Sequence, residues 1–123
     1  MSTAISYMPP PLLEAVPPPR PSQLPRVIDV FLKYLKAEGV SVVFGIPGGL
    51  LHPLFVAVED DSELRLIVSK HAEGAALMAD GFARASRRVG ASGAQAIGAT
   101  NLAAGLRDAY MARVPVLAIT GGS

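Results

Sequence analysis

The chain has 123 residues, enough for one domain. Eleven Lys and Arg against ten Asp and Glu leave a net charge of +1, which removes the field that a nucleic-acid or acidic-membrane binder needs. The absence of cysteine excludes a disulfide scaffold, a thiolate zinc site and a cysteine nucleophile. Two histidines, His52 and His71, are too few for a His-based metal cluster, so no metal ligand is assigned.

No apolar run approaches the roughly 20 residues that span a bilayer, and no basic segment followed by an apolar one marks a secretory signal. The expectation is a cytoplasmic chain that partners neither nucleic acid nor membrane. Eight of the eleven prolines lie in residues 1–25, whereas all twelve glycines follow Arg26. Pro9-Pro10-Pro11 and Pro17-Pro18-Pro19 fix φ and remove N–H donors, so residues 1–25 read as a Pro-rich disordered tail. A domain is expected over 26–123.

From Arg26 the chain alternates between helical and strand patterns. Val27, Val30, Phe31, Tyr34 and Leu35 form the apolar stripe of a first helix, closed by Gly39. Ser41–Ile46 reads as a buried strand that breaks at Pro47-Gly48-Gly49. A short helix is expected over Leu50–Val58 and a strand over Leu64–Val68. Ala72, Ala75, Ala76, Ala79 and Ala83 share one side of a helix over about His71–Ser86. Ala91–Ile97 is a strand diluted by Ser92, Gly93 and Gln95. Ala99, Leu102, Ala103, Leu106, Ala109 and Tyr110 mark a last helix, and Val114–Thr120 a last strand.

Continuous apolar strands separated by helices predict an α/β fold, a doubly wound and mostly parallel sheet with flavodoxin-like layers. Ligands of such sheets bind beyond the carboxyl ends of the strands. The segments Pro47–Gly49, Ser69–Glu73 and Gly98–Asn101 are therefore expected on one rim. In the first, glycines let backbone approach a ligand and free N–H groups at a helix start, although neither a Walker A nor a GxGxxG pattern is present. That segment serves equally as a tight turn or as a binding loop. Glu73 either stabilises a helix N-terminus by its charge or exchanges a proton with a ligand nitrogen. Thr100 or Asn101 is expected to cap the helix that follows. Arg84, Arg87 and Arg88 read as a solvated helix end, and Met78 and Phe82 as core.

Four stretches, VFGIPGG at 43–49, KHAEGAALMADGFAR at 70–84, GATNLAAGLRDAYM at 98–111 and VPVLAITG at 114–121, resemble the N-terminal pyrimidine-binding domain of thiamine-diphosphate enzymes. The nearest group is that of acetolactate synthases and 2-oxo-acid decarboxylases. The resemblance implies a carboligase or decarboxylase in which this domain holds the aminopyrimidine of thiamine diphosphate. A second domain or subunit, expected to be missing or supplied by a partner, holds the diphosphate through Mg2+. It implies cofactor contacts at Ile46, Pro47, Gly48, Gly49, Ala72, Gly98 and Asn101. A glutamate of the family hydrogen-bonds a ring nitrogen, favours the imino tautomer and so activates the cofactor.

The chain departs from that pattern. The family glutamate falls on Ala72, and Glu73 stands one position late, about 100° around a helix, so Glu73 is the catalytic candidate only if the helix is entered differently. The usual Gly-Pro-Gly before Ala-Thr-Asn reads Ala96-Ile97-Gly98, and the strand between Val89 and Gly98 is one residue short. The sequence also ends at Ser123, soon after the fourth strand, without the diphosphate half. The expectation is a chain that is not active alone and works as a homo-oligomer or with a complementing diphosphate-binding subunit. The alternative is a non-catalytic truncated relic or interaction module with the same fold.

Overall fold

A computed structural model describes residues 25–122; the expected Pro-rich tail lies outside these, apart from Pro25. The elements run α1 (Val27–Ala37), β1 (Val42–Gly45), α2 (His52–Asp60), β2 (Arg65–Val68), α3 (Ala72–Ser86), β3 (Gly90–Gln95), α4 (Ile97–Met111) and β4 (Val116–Gly121). The four strands make one sheet in the order β2-β1-β3-β4, and every pair is parallel. Successive strands are linked through helices, as parallel pairing requires.

Two apolar layers hold the helices to the sheet. On one face, Leu32 and Leu35 of α1 and Leu54, Phe55 and Val58 of α2 pack with Val43 and Ala91. On the other, Ala72, Ala75, Ala76 and Ala79 of α3 and Leu102 of α4 pack with Phe44 and Ala94. Alternation along β1 explains the split, since Val43 points to one layer and Phe44 to the other. The second layer is thin because its side chains are small. A Cβ on Gly90 would collide with the Ala79 carbonyl oxygen, and one on Gly105 would collide with the Glu73 carbonyl oxygen. Glycine at these two positions lets α3 lie directly on β3 and α4.

The stripe assigned to α1 from sequence is rotated. Leu32 and Leu35 are buried and Ile28 and Phe31 partly so, whereas Val27 and Tyr34 are exposed. The i, i+3, i+4, i+7 series runs from Ile28, one position beyond the one expected. The helix ends as predicted: Gly39 has φ +83°, its N–H bonds the Lys36 carbonyl and the Val40 N–H bonds the Leu35 carbonyl, a Schellman pair.

Other boundaries move by a few residues. α4 begins at Ile97, so Ile97 belongs to a helix and not to β3. The residue before it is Ala96, no side chain caps this end, and the Thr100 hydroxyl donates back to the Ile97 carbonyl. The expected cap at Thr100 or Asn101 is therefore absent, because the chain turns at Ala96 and both residues sit inside the first turns. Ala103 and Tyr110 face solvent, and Gly105 takes their place at the buried seam. Phe82 is half-buried with its ring 6.1 Å from Phe44, while Met78 lies nearer the surface. Arg84, Arg87 and Arg88 are all exposed. The Arg84 guanidinium pairs with the nearly buried Asp80 carboxylate at 2.9 Å.

β4 differs from the doubly covered strand that its composition suggests. Leu117, Ala118 and Thr120 are exposed, and among the described residues its outer edge pairs with no strand. No helix among the described residues is long and apolar enough to cross a membrane.

Candidate functional site at the switch point

The strand order places a topological switch between β1 and β3. β1 leads through α2 to β2 on one side, and β3 leads through α4 to β4 on the other. The connections leave in opposite directions and open a crevice beyond the carboxyl ends, the place where such sheets bind ligands.

The first wall is the turn after β1. Ile46 N–H still bonds the Gly93 carbonyl at 3.2 Å, and Leu51 N–H closes a turn on the Gly48 carbonyl at 3.0 Å. Pro47 and Gly49 are exposed and Gly48 is half-buried. A Cβ on Gly48 would meet the Gln95 side chain at 2.7 Å, and the Leu50 N–H donates to Gln95 Oε1. This wall thus touches the end of β3 directly, and glycine at 48 is what permits it.

The second wall is the chain between β2 and α3. Ser69 N–H bonds the Gly45 carbonyl at 2.9 Å, and the Ser69 hydroxyl donates to the His71 carbonyl at 2.8 Å. Ala72 is the first residue of α3 and is 2% exposed. A Cβ on Gly98 would lie 3.8 Å from that of Ala72, so position 72 faces the start of α4. Glu73, next along the helix, carries a half-exposed carboxylate 3.9 Å from His71 Nδ1. Lys70 is exposed as well.

The third wall is the β3–α4 junction. Ala96 has φ 48° and ψ −122°, a conformation that glycine adopts freely and a Cβ disfavours. Gly98 and Asn101 are half-buried in the first turns of α4. Helix N-terminal N–H groups without a side-chain cap remain at this end and suit an acceptor or an anion. Ile46–Gly49, Ala72 and Gly98 are thereby brought to one rim. Gln95, which the sequence presents only as a residue diluting a strand, joins the first wall to the third.

Among the described residues no group of three or more His, Asp or Glu gathers as a metal site.

A family described as thiamine pyrophosphate enzyme, N-terminal TPP binding domain, matches residues 25–123. The chain belongs to this family. The thiamine-pyrophosphate-enzyme relatives include an acetolactate synthase isozyme 2 large subunit of Escherichia coli, 46% identical over 88 residues, which cover 71% of this chain and 16% of the relative. An acetolactate synthase large subunit of Lactococcus lactis is 40% identical over 97 residues, which cover 76% of this chain and again 16% of the relative. The chain therefore spans about one sixth of these relatives. In fold it is similar to the thiamine diphosphate-dependent 4-hydroxybenzoylformate decarboxylase of Rhodococcus jostii, with a TM-score of 0.74 at 23% identity over 80% of this chain and 19% of that one.

Family membership implies thiamine diphosphate as cofactor, and two observations test the fit. Gly48 and Gly98 let the walls of the crevice meet, because the space a Cβ would need is taken by the Gln95 side chain at 2.7 Å and the Ala94 Cβ at 3.1 Å, so the rim is drawn together by this chain's own side chains. The acid–base group does not fit. Proton exchange with a ring nitrogen needs a carboxylate in short geometry and shielded from water. Position 72 holds a buried methyl, and the carboxylate of this turn, Glu73, is half-exposed beside an exposed imidazole. The residues of this turn therefore support no proton step through the cofactor.

Proposed function

We propose that residues 26–123 are the pyrimidine-side portion of a thiamine-diphosphate site in an acetolactate synthase-like carboligase or decarboxylase acting on 2-oxo acids. The observation that carries this reading is the convergence of Ile46–Gly49, Ala72 and Gly98 on the switch-point rim of a chain from this family. In this proposal the walls hold and orient the aminopyrimidine by backbone groups, and a diphosphate-binding polypeptide with Mg2+ completes the site. That polypeptide is a second copy carrying the remaining domain or a separate subunit. The chain by itself releases no CO2 from a 2-oxo acid, because the buried Ala72 methyl neither accepts nor gives a proton.

A non-catalytic module with the same fold is the second reading. It is favoured by two observations at the rim: alanine in place of a carboxylate at 72, and alanine in a glycine conformation at 96.

The two readings separate in one experiment. The full chain is mixed with an acetolactate synthase large subunit whose own N-terminal domain has been removed, and thiamine diphosphate binding and CO2 release from pyruvate are measured. The first reading expects the mixture to bind the cofactor more tightly than either part alone. It expects Ala72→Glu to raise CO2 release by about 10²-fold or more, the usual contribution of one positioned acid–base group. No binding by the mixture contradicts it and favours the module. An equal rate from the unaltered and Ala72→Glu chains, with activity lost in Glu73→Gln, would move the catalytic assignment to Glu73.

A further inference from the structure

β3 ends at Gln95, and the next residue turns sharply away into α4. The Gln95 side chain does not follow that turn. It crosses from β3 to the loop after β1, where Oε1 accepts the Leu50 N–H and the carboxamide carbon and nitrogen lie against Gly48, each 2.7 Å from where a Cβ would be. Leu50 is also held from the β4 side, since a Cβ on Gly121 would meet the Leu50 Cβ at 2.8 Å. Among the described residues no acceptor stands in hydrogen-bond geometry to Gln95 Nε2, so this amino group remains the donor available at the crevice.

We propose that Gln95 is a positioning residue of the switch-point crevice: its carboxamide clamps the Pro47–Leu50 turn to the end of β3 and so sets the width available to a ligand ring. The clamp works through a single side chain. The β1–β3 ladder stops at the Ile46 N–H, and the turn beyond it closes only on itself. Without Gln95, no hydrogen bond among the described residues ties Gly48–Leu50 to β3. Glycine at 48 is part of the device, because a methyl there would take the space of the carboxamide. The free Nε2–H2 adds a chemical preference for a ligand with an acceptor atom, such as a ring nitrogen, at that edge. The ligand's identity rests on the function proposed above; the clamp does not.

Amide hydrogen exchange on the full chain decides it. In Gln95→Leu the Leu50 amide is expected to exchange about 5- to 10-fold faster, the loss of one hydrogen bond, with the Ile46 amide unchanged. Gln95→Glu keeps an acceptor oxygen and is expected to restore protection at Leu50. Gly48→Ala leaves Gln95 in the sequence yet is expected to reproduce the Gln95→Leu pattern. Unchanged exchange at Leu50 in Gln95→Leu overturns the clamp. So does equal acceleration at Ile46 and Leu50, which would mark a general loosening of the sheet, or a failure of Gln95→Glu to restore protection. A second arm titrates the same chains with thiamine diphosphate and Mg2+. Weaker binding by Gln95→Leu than by the unaltered chain supports the role in ligand positioning, and equal binding refutes that role. No binding by the unaltered chain contradicts the proposed function and leaves the exchange result to decide the clamp.

Discussion

Position 96 joins an alanine to φ 48° and ψ −122°, backbone that a Cβ makes costly. The Ala96 N–H reaches the Gly121 carbonyl at 3.4 Å, so the turn is also tied to β4. Ala96→Gly is expected to stabilise the fold by about 1 kcal/mol and to raise Tm by roughly 4–8 °C, as read by thermal unfolding; an unchanged or lower Tm would show that the strain is absent. This site was partly legible in the sequence, where Ala96-Ile97-Gly98 departs from the family Gly-Pro-Gly, yet only the backbone shows what the departure does. The burial of Ala72 beside Gly98 was legible only as one position on an alanine face. A helix start fixes which of two adjacent residues points into the crevice, and KHAEG carries no mark of that. Gln95 was missed because a polar residue in a weak strand gives no signal of a partner 45 residues away.

At the scale of elements, the helices and strands were readable because their apolar spacing is regular, and the alanine face of α3 is buried as its spacing predicts. Errors arose where two registers compete. In α1 both Val27 and Ile28 begin a plausible stripe, and contact with α2 selects the second. β3 is weak as a sequence because Ser92 and Gly93 are polar or small, but a central strand packed closely on both faces requires small residues there. The link between the end of α1 and the turn before β2 is likewise invisible to local pattern. Lys36 Nζ donates to Asp61 at 2.8 Å and to Glu63 at 2.9 Å, and Asp61 Oδ1 accepts the N–H groups of Glu63 and Leu64. The Lys36 bond, then these amides, hold the Asp61 carboxyl below the usual carboxylate range, while Asp61 and Glu63 raise Lys36 above the usual lysine range. A carboxyl depressed in the folded state stabilises it above the ordinary value near ~3.9 and loses that contribution as pH falls through the lower folded value. Asp61→Asn is therefore expected to be less stable than the unaltered chain at pH 7, with the gap closing below about pH 4. Urea unfolding at both pH values checks this, and a gap independent of pH contradicts it.

For the whole molecule, parallel order and two-sided helices followed from composition and element order, since strands separated by helices leave few other arrangements. The switch between β1 and β3 did not, because strand order depends on the direction each crossover takes. That order assembles the rim and gives the family's motifs a common location. It also leaves β4 at an edge, with Leu117 and the nearby α4 residues Tyr110 and Met111 exposed, an arrangement that favours association with further polypeptide. The central claim, that this rim is the pyrimidine side of a thiamine-diphosphate site, is tested most directly by amide chemical-shift mapping of the full chain during titration with thiamine diphosphate and Mg2+. The account predicts shifts concentrated at Ile46–Leu50, Ala72–Glu73 and Gln95–Asn101, even if binding is weak without a diphosphate-holding partner. Shifts confined to α1 and α2, or none at millimolar cofactor, would contradict it.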